Sequence, residues 1–526
     1  MPETPLQIIA DIQELYLSDS IPWILGYSGG KDSTASLQLI WNAIAALPQD
    51  RRRFKPIHVI STDTLVENPV IAAWVKLSLL KMNCASIEQG LAFEAHPLTP
   101  ALKDRFWVNL IGKGYPAPRP RFRWCTDRLK ISASTKFIQD LSEANGEAIL
   151  VLGVRRGESA ARDKVIEEYK GSTRSKLSRN ADPKLSRVWI YMPIETWSSD
   201  DVWEYIITNP NPWGTSNQEL FDIYRGATPD AECPIVVDKS TPSCGDSRFG
   251  CYVCTMVTQD KSMGAMIQND ESKAWMQPIM AFRDNFLAGY DRHHRDFRRM
   301  NNNIIMHRDQ LVHGPYTQER RAELLKELLL TQEKVKEAGS NQGFVNVDLI
   351  PLDEIEEIRR IWIEQKGEIE DLVPGIYKAV TGKDYPGRLL DPMPLDAPDL
   401  ALLNSVVDDW ISTEMPTQDS ALREERRKEL YKLVRTLLAT SFKGLQSRNR
   451  SKQLDELGSL LKAFAFTDEE DALAFAKQYL PASTLAGEVE EIEVEAQSIE
   501  ADFSDGEQDK INRRVIPIMP VTNLLV

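Results

Sequence analysis

The sequence has few cysteines and no long run of apolar residues. Six cysteines among 526 residues are too few for a disulfide-rich secreted protein. No segment approaches the roughly 18 consecutive apolar residues that a membrane-spanning helix requires. The first twenty residues also lack the basic segment and the apolar centre of a signal peptide. These absences predict a cytoplasmic protein that does not enter a membrane.

An excess of positive charge is also absent. Lysine and arginine number 63 and aspartate and glutamate 78, a formal net charge of −15, whereas proteins that coat nucleic acids are usually basic. Ten of the acidic residues lie between residues 488 and 509, so the rest of the chain is only mildly acidic. Residues 155–187 and 291–299 are locally basic and could bind backbone phosphates. A solvated charged surface is the alternative for both stretches.

Short apolar segments alternate with helical patterns in the first part of the chain. The segments at residues 23–27, 56–61, 148–153 and 187–193 predict buried strands, and helical spacing lies between them. Strands that alternate with helices indicate a doubly wound parallel sheet with helices on both faces, a Rossmann-like α/β fold.

The pattern divides the chain into four predicted parts. We expect an α/β domain over residues 1–210 and a cysteine-rich, metal-binding segment over 211–270, where apolar periodicity is poor. A helical C-terminal domain follows over 271–480, and residues 481–526 are an acidic, flexible tail.

The strongest local signal lies between the first predicted strand and the helix that follows it. It consists of Ser28, Gly29, Gly30, Lys31, Asp32 and Ser33. The glycines let the backbone approach an anion, and the start of the helix directs N–H groups and a positive dipole end towards it. The serine hydroxyls can donate hydrogen bonds, the lysine supplies positive charge, and the aspartate can help to hold Mg²⁺. This pattern predicts a phosphate-binding loop that is neither a Walker A nor a dinucleotide fingerprint.

Polar residues follow two more of the predicted strands. Thr62 and Asp63 end the second strand, and Gly153, Arg155 and Arg156 follow the third. Open α/β sheets bind ligands beyond the carboxyl ends of their strands, and arginine can hold phosphate oxygens in bidentate geometry. We therefore expect these residues to join the phosphate loop in one binding site.

The cysteines are unevenly placed along the sequence. Four of them, candidate metal ligands, fall within 22 residues: Cys233, Cys244, Cys251 and Cys254. The Cys-x2-Cys pair can reach one metal centre, and the spacing fits zinc as well as an iron–sulfur cluster. Cys125 lies among basic residues that should favour a thiolate, either as a further ligand or as a nucleophilic sulfur carrier. Cys84 is expected in the core, at the start of a strand.

Several of these segments resemble those of a known family. The segment at residues 28–33 resembles the loop of the PP-loop ATP pyrophosphatases, which cleave ATP between its α and β phosphates. Residues 123–130 and 193–203 resemble segments of the PAPS-reductase branch of that family. Together with the cysteine cluster, they are similar to DndC-type sulfurtransferases of bacterial DNA phosphorothioation systems.

The resemblance implies an ATP-dependent sulfurtransferase. It would adenylate a DNA backbone phosphate, release pyrophosphate and support replacement of a non-bridging oxygen by sulfur. The implied cofactors are ATP, Mg²⁺ and a [4Fe–4S] cluster on the four clustered cysteines, with zinc as the alternative. The residues with implied catalytic roles are Lys31, Asp32, Ser33, Cys125 and Arg155.

The same resemblance implies partners and leaves other functions open. DNA, a cysteine desulfurase as sulfur donor, and further subunits of a phosphorothioation complex are the expected partners. The alternatives are an enzyme similar to PAPS or APS reductases, an enzyme that thiolates tRNA or a small molecule, and a non-catalytic nucleotide-sensing subunit of a defence complex.

Overall fold

The structure, a computed structural model, describes most of the chain up to residue 479. The described residues are 3–120, 122–157, 163, 176–180, 182–228, 249–300, 304–307, 310–340, 347–387, 397–414, 419–446, 457–458, 461, 466 and 468–479. Three predicted features fall largely or wholly outside them: two of the clustered cysteines, Cys233 and Cys244, most of the basic stretch after residue 157, and the acidic tail.

The described residues form two compact units. The first contains those up to residue 106 and from 125 to 283, and the second those from 107 to 124 and from 284 on.

The first unit is built on a six-stranded sheet. The strands are β1 (Trp23–Gly26), β2 (Ile57–Thr62), β3 (Phe93–Leu98), β4 (Ala148–Val151), β5 (Ser178–Arg179) and β6 (Val188–Tyr191). Their order is β3-β2-β1-β4-β6-β5, and all neighbours are parallel except β5 and β6. The predicted doubly wound parallel sheet is confirmed, with two further strands, β3 and β5, at its edges.

Helices cover both faces of this sheet because successive strand residues point to opposite sides. The helices of this unit are α1 (Pro5–Leu17), α2 (Lys31–Ala45), α3 (Pro69–Glu88), α4 (Ser132–Asn145), Ser199–Thr208, Asn217–Gly226, Lys261–Asn269 and Gln277–Phe282. Leu25 and Val59 pack with α1 to α3 on one face. Ile24 and Ile60 pack against Ile138 of α4 on the other.

Among the described residues, helix α3 is the one helix that is both long enough and apolar enough to cross a membrane. It is 20 residues long with a mean hydropathy of 1.4, which suffices for a membrane span by length and composition. Lys76 and Lys81 interrupt this helix, so it is not the uninterrupted apolar run that the sequence was expected to lack. Trp74, Leu79 and Met82 of this helix are nevertheless buried in the core, and core helices of soluble proteins pass the same criteria. Cys84, expected in a core strand, lies in this helix and is exposed.

The second unit is mainly helical, which confirms the predicted helical C-terminal part. Its α-helices are Gln318–Ser340, Leu352–Arg360, Leu372–Thr381, Ala397–Glu414, Ser420–Gln446 and Glu469–Tyr479. One short hairpin pairs β7 (Met306–His307) with β8 (Gln310–Leu311). Short π-helical segments occur in both units. They are Val108–Lys113, Thr126–Ile131, Arg283–Leu287 and Ile361–Gln365.

The basic run at residues 291–299 is largely buried inside this second unit. Arg298 is 1% exposed and pairs with Glu429 at 2.6 Å. Arg295 is 6% exposed and pairs with Asp291 at 3.3 Å. These guanidinium groups hold the unit together, so the run is neither the solvated surface nor the phosphate-binding surface that its sequence suggests.

Candidate functional site

The phosphate loop lies at the point where the order of the strands reverses. β1 pairs in parallel with β2 on one side and with β4 on the other, so the loops after all three strands emerge at one edge. In open α/β sheets this position is where ligands bind. Thr62 ends β2, whereas Gly153 and Arg155 follow β4. The fold therefore brings the predicted nucleotide-binding loops to one edge of the sheet.

Hydrogen bonds within the loop hold it in a tight turn. Gly29 has a φ of +76°, and a Cβ there would meet Val75 at 2.4 Å. The Ser33 hydroxyl donates to the Gly30 carbonyl at 3.0 Å and accepts a hydrogen bond from the Ser28 N–H at 3.2 Å. Helix α2 begins at the next residue after Gly30, with its N-terminus directed towards the loop. A glycine and two serines thus fix the geometry of the predicted phosphate loop.

Two buried cations share one carboxylate beside this loop. The Lys31 ammonium lies 3.0 Å from one oxygen of Asp32, and the Arg155 guanidinium is bonded to the other. The side chains of Lys31 and Arg155 are 7% and 8% exposed, so both need a counter-ion. Asp32 supplies it from the first turn of the helix.

Arg156 and Asp63 lie near the same edge but have other contacts. The Arg156 guanidinium pairs with Glu195 at 2.6 Å, away from Asp32. Burial raises the pKa of Asp63, although its carboxylate accepts a hydrogen bond from the Leu65 N–H at 2.8 Å. Lys31 and Arg155 are therefore linked through the carboxylate of Asp32, whereas Arg156 belongs to a separate ion pair.

Gly153 permits a very close approach between two segments. A Cβ at this position would lie 2.8 Å from Ser33 Cα and 2.9 Å from the Asp32 carbonyl oxygen. Both contacts are with backbone atoms, which cannot rotate away. Position 153, two residues after the end of β4, must therefore be glycine for α2 to begin where it does.

Three thiols come together at the same sheet edge. Cys251 Sγ lies 3.5 Å from the Thr64 hydroxyl and 3.9 Å from Glu67, in the loop after β2. Tyr252 donates its N–H to the Val66 carbonyl at 3.0 Å, which holds the Cys-x2-Cys turn against that loop. Cys125 and Cys254 lie close enough to influence the charge of each other. Of the four clustered cysteines, the described residues contain only Cys251 and Cys254.

The environment of these thiols favours their protonated form. Burial and the neighbouring Cys254 raise the pKa of Cys125 to about 11. Burial and Glu67 likewise raise the pKa of Cys251. The expectation that basic residues would stabilise a thiolate at Cys125 is therefore wrong, because burial outweighs the favourable charge of Lys130, and Arg128 pairs with Asp104 at 3.0 Å. Metal coordination deprotonates thiols, so such ligands would release protons on binding.

Two positively charged residues contact this cluster: Lys130, which the sequence placed beside Cys125, and Arg283, which the sequence did not single out. Lys130 lies 3.3 Å from Glu67, and its pKa is raised because Glu67 and the nearby thiols outweigh the effect of burial. Arg283 is 1% exposed and donates to the Cys254 carbonyl at 2.9 Å and to the Thr258 carbonyl at 2.8 Å. No sequence motif marks Arg283, because its acceptors are backbone carbonyls.

Tyr224 is another contact that the sequence did not indicate. Its hydroxyl accepts a hydrogen bond from the Lys31 N–H at 3.2 Å, and its ring lies 5.9 Å from the Lys31 ammonium. Almost two hundred residues separate the two positions, so only the fold places the ring at the phosphate loop.

We expect Gly153→Ala to destabilise the first unit by about 1–3 kcal/mol, because the added methyl group overpacks rigid backbone. ATP binding should weaken as well, since the start of α2 must shift. Denaturant midpoints and calorimetric ATP titrations measure both effects. Gly264→Ala is the control, because its nearest neighbour would be a Met280 sulfur at 3.9 Å. A Gly153→Ala protein as stable as the parent would contradict this account of the loop.

Arg283→Met should lower the stability of the first unit by about 1.5–3 kcal/mol, because it removes charged hydrogen bonds to buried carbonyls. It should also reduce the amount of metal that co-purifies with the protein, since the Cys251–Cys254 turn loses its support. Thermal unfolding and elemental analysis measure the two effects. Arg225→Met, at a half-exposed arginine, is the matched control. Unchanged metal content in Arg283→Met would argue against this role.

Part of the first unit is similar to a known family of domains. A model of the phosphoadenosine phosphosulfate reductase domain matches residues 22–222. An uncharacterized protein of Methanocaldococcus jannaschii is 24% identical over 269 residues, which is 51% of this chain and 42% of that relative. The match thus spans less than half the length of this curated relative.

Solved structures with similarity to this chain include two enzymes with named activities. The phosphoadenylyl-sulfate reductase from Candida auris is 12% identical and aligns over 39% of this chain and 80% of its own, with a TM-score of 0.24. The U34-tRNA thiolase NcsA from Methanococcus maripaludis, solved with its [4Fe–4S] cluster, is 16% identical over 41% of this chain and 72% of its own, also with a TM-score of 0.24. Residues 22–222 are thus similar to phosphoadenosine phosphosulfate reductase domains, which agrees with the parallel α/β sheet of the first unit.

Proposed function

We propose that this protein is an ATP-dependent sulfurtransferase that adenylates a DNA backbone phosphate, releases pyrophosphate and supports replacement of a non-bridging oxygen by sulfur. One observation carries the proposal: the predicted phosphate loop and a group of partly buried thiols lie at the same edge of one sheet. The loop at residues 62–67 connects them, because it begins at the end of β2 and contacts Cys251 through Thr64 and Glu67.

The phosphate loop supplies what a triphosphate needs. The N-terminal N–H groups of α2 and the positive end of its dipole face the loop. Lys31 and Arg155 add two buried positive charges, which Asp32 neutralises in the absence of a ligand. When the triphosphate binds, its oxygens become alternative partners for both cations. Asp32 is then available to hold Mg²⁺, which would reduce the charge repulsion met by an attacking oxygen.

The proposed reaction has two substitutions at phosphorus. A non-bridging oxygen of the DNA phosphate bonds to the α-phosphorus of ATP, the α–β anhydride bond breaks, and pyrophosphate leaves. A sulfur nucleophile then bonds to the DNA phosphorus, and AMP leaves with the original oxygen. In the first step, Lys31 and Arg155 stabilise the charge that develops on the phosphate oxygens. The Ser33 hydroxyl keeps the loop in position for it.

The thiol group could hold an iron–sulfur cluster or a zinc ion, since both accept cysteine thiolates. The resemblance to PP-loop enzymes that transfer sulfur, which often carry a [4Fe–4S] centre, favours the cluster. When bound, the cluster would supply iron sites that accept sulfur. We propose Cys251 and Cys254 as ligands, together with Cys233 and Cys244, and Cys125 as a further ligand or a sulfur carrier.

We propose DNA as the acceptor because several sequence segments together resemble those of the DNA phosphorothioation enzymes. A cysteine desulfurase is the proposed sulfur donor, and further subunits would supply DNA affinity, because the basic run at residues 291–299 is internal. The family match to PAPS reductases favours a second candidate, a sulfonucleotide reductase. That enzyme would release sulfite from its nucleotide and would not need to cleave ATP.

The test is pyrophosphate release from ATP by anaerobically purified protein, with duplex DNA, tRNA or no polymer, in the presence of Mg²⁺ and a sulfur source. We expect release that depends on DNA, and sulfur incorporated into the DNA. Ser33→Ala should lower the rate by about 10²–10³-fold, because it loosens the phosphate loop. Ser20→Ala, at an exposed serine, should match the parent protein.

Other results of this assay would reassign the function. Stimulation by tRNA alone would indicate an RNA thiolase, and sulfite formation from PAPS without ATP cleavage would indicate a reductase. Absence of every activity in protein that retains its metal would favour the nucleotide-sensing subunit.

Asp32→Asn should destabilise the ligand-free protein by about 3–5 kcal/mol, because two buried cations lose their counter-ion. ATP without Mg²⁺ should restore much of this stability, since the phosphates replace the lost carboxylate. The expected result is a larger rise in melting temperature with ATP for Asp32→Asn than for the parent. Asp50→Asn, at an exposed ion pair, is the control. An equal or smaller rise with ATP would disprove the counter-ion role.

A further inference from the structure

A second group of metal-binding side chains lies on the outer strands of the sheet, outside the proposed active site. His58 is on β2, and Glu94 and His96 are on the edge strand β3. Neither the phosphate chemistry nor the thiol group uses these residues. No short sequence motif contains all three residues, so the sequence alone does not mark them as a site.

The backbone register of two parallel strands brings the three residues together. His58 is paired with Glu94, and Ile60 with His96. The three side chains therefore point to the same face of the sheet, the face on which Ile60 packs with α4. Their positions are set by the hydrogen-bonded sheet rather than by a loop, which favours a preformed site.

The distances between the three donor atoms suit one metal ion. His58 Nδ1 and His96 Nε2 are 3.0 Å apart, and Glu94 Oε2 lies 3.6 Å from the first and 3.8 Å from the second. A point equidistant from three atoms at these separations lies about 2.0 Å from each. Zinc bonds to imidazole nitrogen and carboxylate oxygen at about 2.0–2.2 Å.

The surroundings allow an ion to enter and then hold it. The His58 side chain is 11% exposed, His96 31% and Glu94 63%, so the site opens to solvent on the carboxylate side. The ring of Phe137 on α4 lies 5.0 Å from the His96 ring and 6.0 Å from the His58 ring, and covers the histidines. The three side chains would supply three ligands, and a water molecule at the solvent-facing position would be the fourth.

We propose that His58, Glu94 and His96 bind a divalent transition-metal ion, with zinc as the ion that fits best, and that this ion fastens the edge strand β3 to β2. Two neutral imidazoles and one carboxylate are donors that zinc accepts readily. The ion would bridge the outermost parallel pair, where β3 has a neighbouring strand on one side only. Zinc binding should therefore stabilise the first unit.

The test uses full-length protein that has been treated with a chelator and then titrated with Zn²⁺ by calorimetry. X-ray absorption at the zinc edge identifies the ligands: nitrogen and oxygen at about 2.0–2.1 Å here, against sulfur at about 2.3 Å if zinc enters the thiol group. We expect one site with nitrogen and oxygen ligands and imidazole scattering. Zinc should also raise the melting temperature of the protein.

Two variants locate the site without disturbing the buried histidine. His96→Gln should weaken zinc binding by more than about 100-fold, because it removes a direct ligand. Glu94→Gln should weaken it to a smaller extent, because an amide oxygen is a poorer donor. Glu143→Gln, at an exposed glutamate on α4, is the matched control and should bind zinc like the parent. Circular dichroism establishes that each variant is folded.

Three outcomes would overturn the proposal. They are unchanged zinc affinity in His96→Gln, a zinc spectrum with sulfur ligands only, and no zinc binding by folded protein. In the last case, the 3.0 Å contact between the histidines is only a hydrogen bond, in which one ring donates and the other accepts. Because the site shares no residue with the phosphate loop or the thiols, none of these outcomes bears on the proposed sulfurtransferase activity.

Discussion

Parallel pairing of β1 with both β2 and β4 is the constraint on which the functional site depends. In a parallel sheet all strands end at the same edge, so the loops that follow these three strands must meet there. The phosphate loop, the segment that contacts Cys251 and the segment that carries Arg155 are those three loops. If β1 paired with either neighbour in the opposite direction, one of these segments would lie at the far end of the sheet.

In the first unit, carboxylates neutralise the cations at both proposed sites. At the phosphate loop, Asp32 neutralises two buried cations, and at the thiol group, Glu67 accompanies Lys130. A buried charge without a partner would cost several kcal/mol. Each of these three cations therefore has a carboxylate partner even without a ligand. An anionic ligand at the phosphate loop must therefore compete with Asp32, which links nucleotide binding to the rearrangement of an existing ion pair.

The second unit shows why a charged segment of sequence does not by itself identify a binding surface. The run at residues 291–299 has the composition of a nucleic-acid contact, yet Arg298 and Arg295 form internal ion pairs. Their carboxylate partners include Glu429, which is more than one hundred residues away in the chain. The composition of the run is the same whether its partners are phosphates or carboxylates, so only the fold distinguishes the two.

The sequence by itself determined the parallel sheet, four of its strands and the phosphate loop, because these depend on local patterns: apolar runs, helical spacing and a glycine-containing turn. It missed β3, whose outward residues Glu94 and His96 interrupt the apolar pattern of an edge strand. Only the tertiary structure decided the environment of each site residue. Residues distant in the chain determine the ion pairing of Arg155, the raised pKa of Cys125 and the hydrogen bonds of Arg283. Burial and long-range electrostatics produce no periodic pattern in the sequence, so they could not be predicted from it.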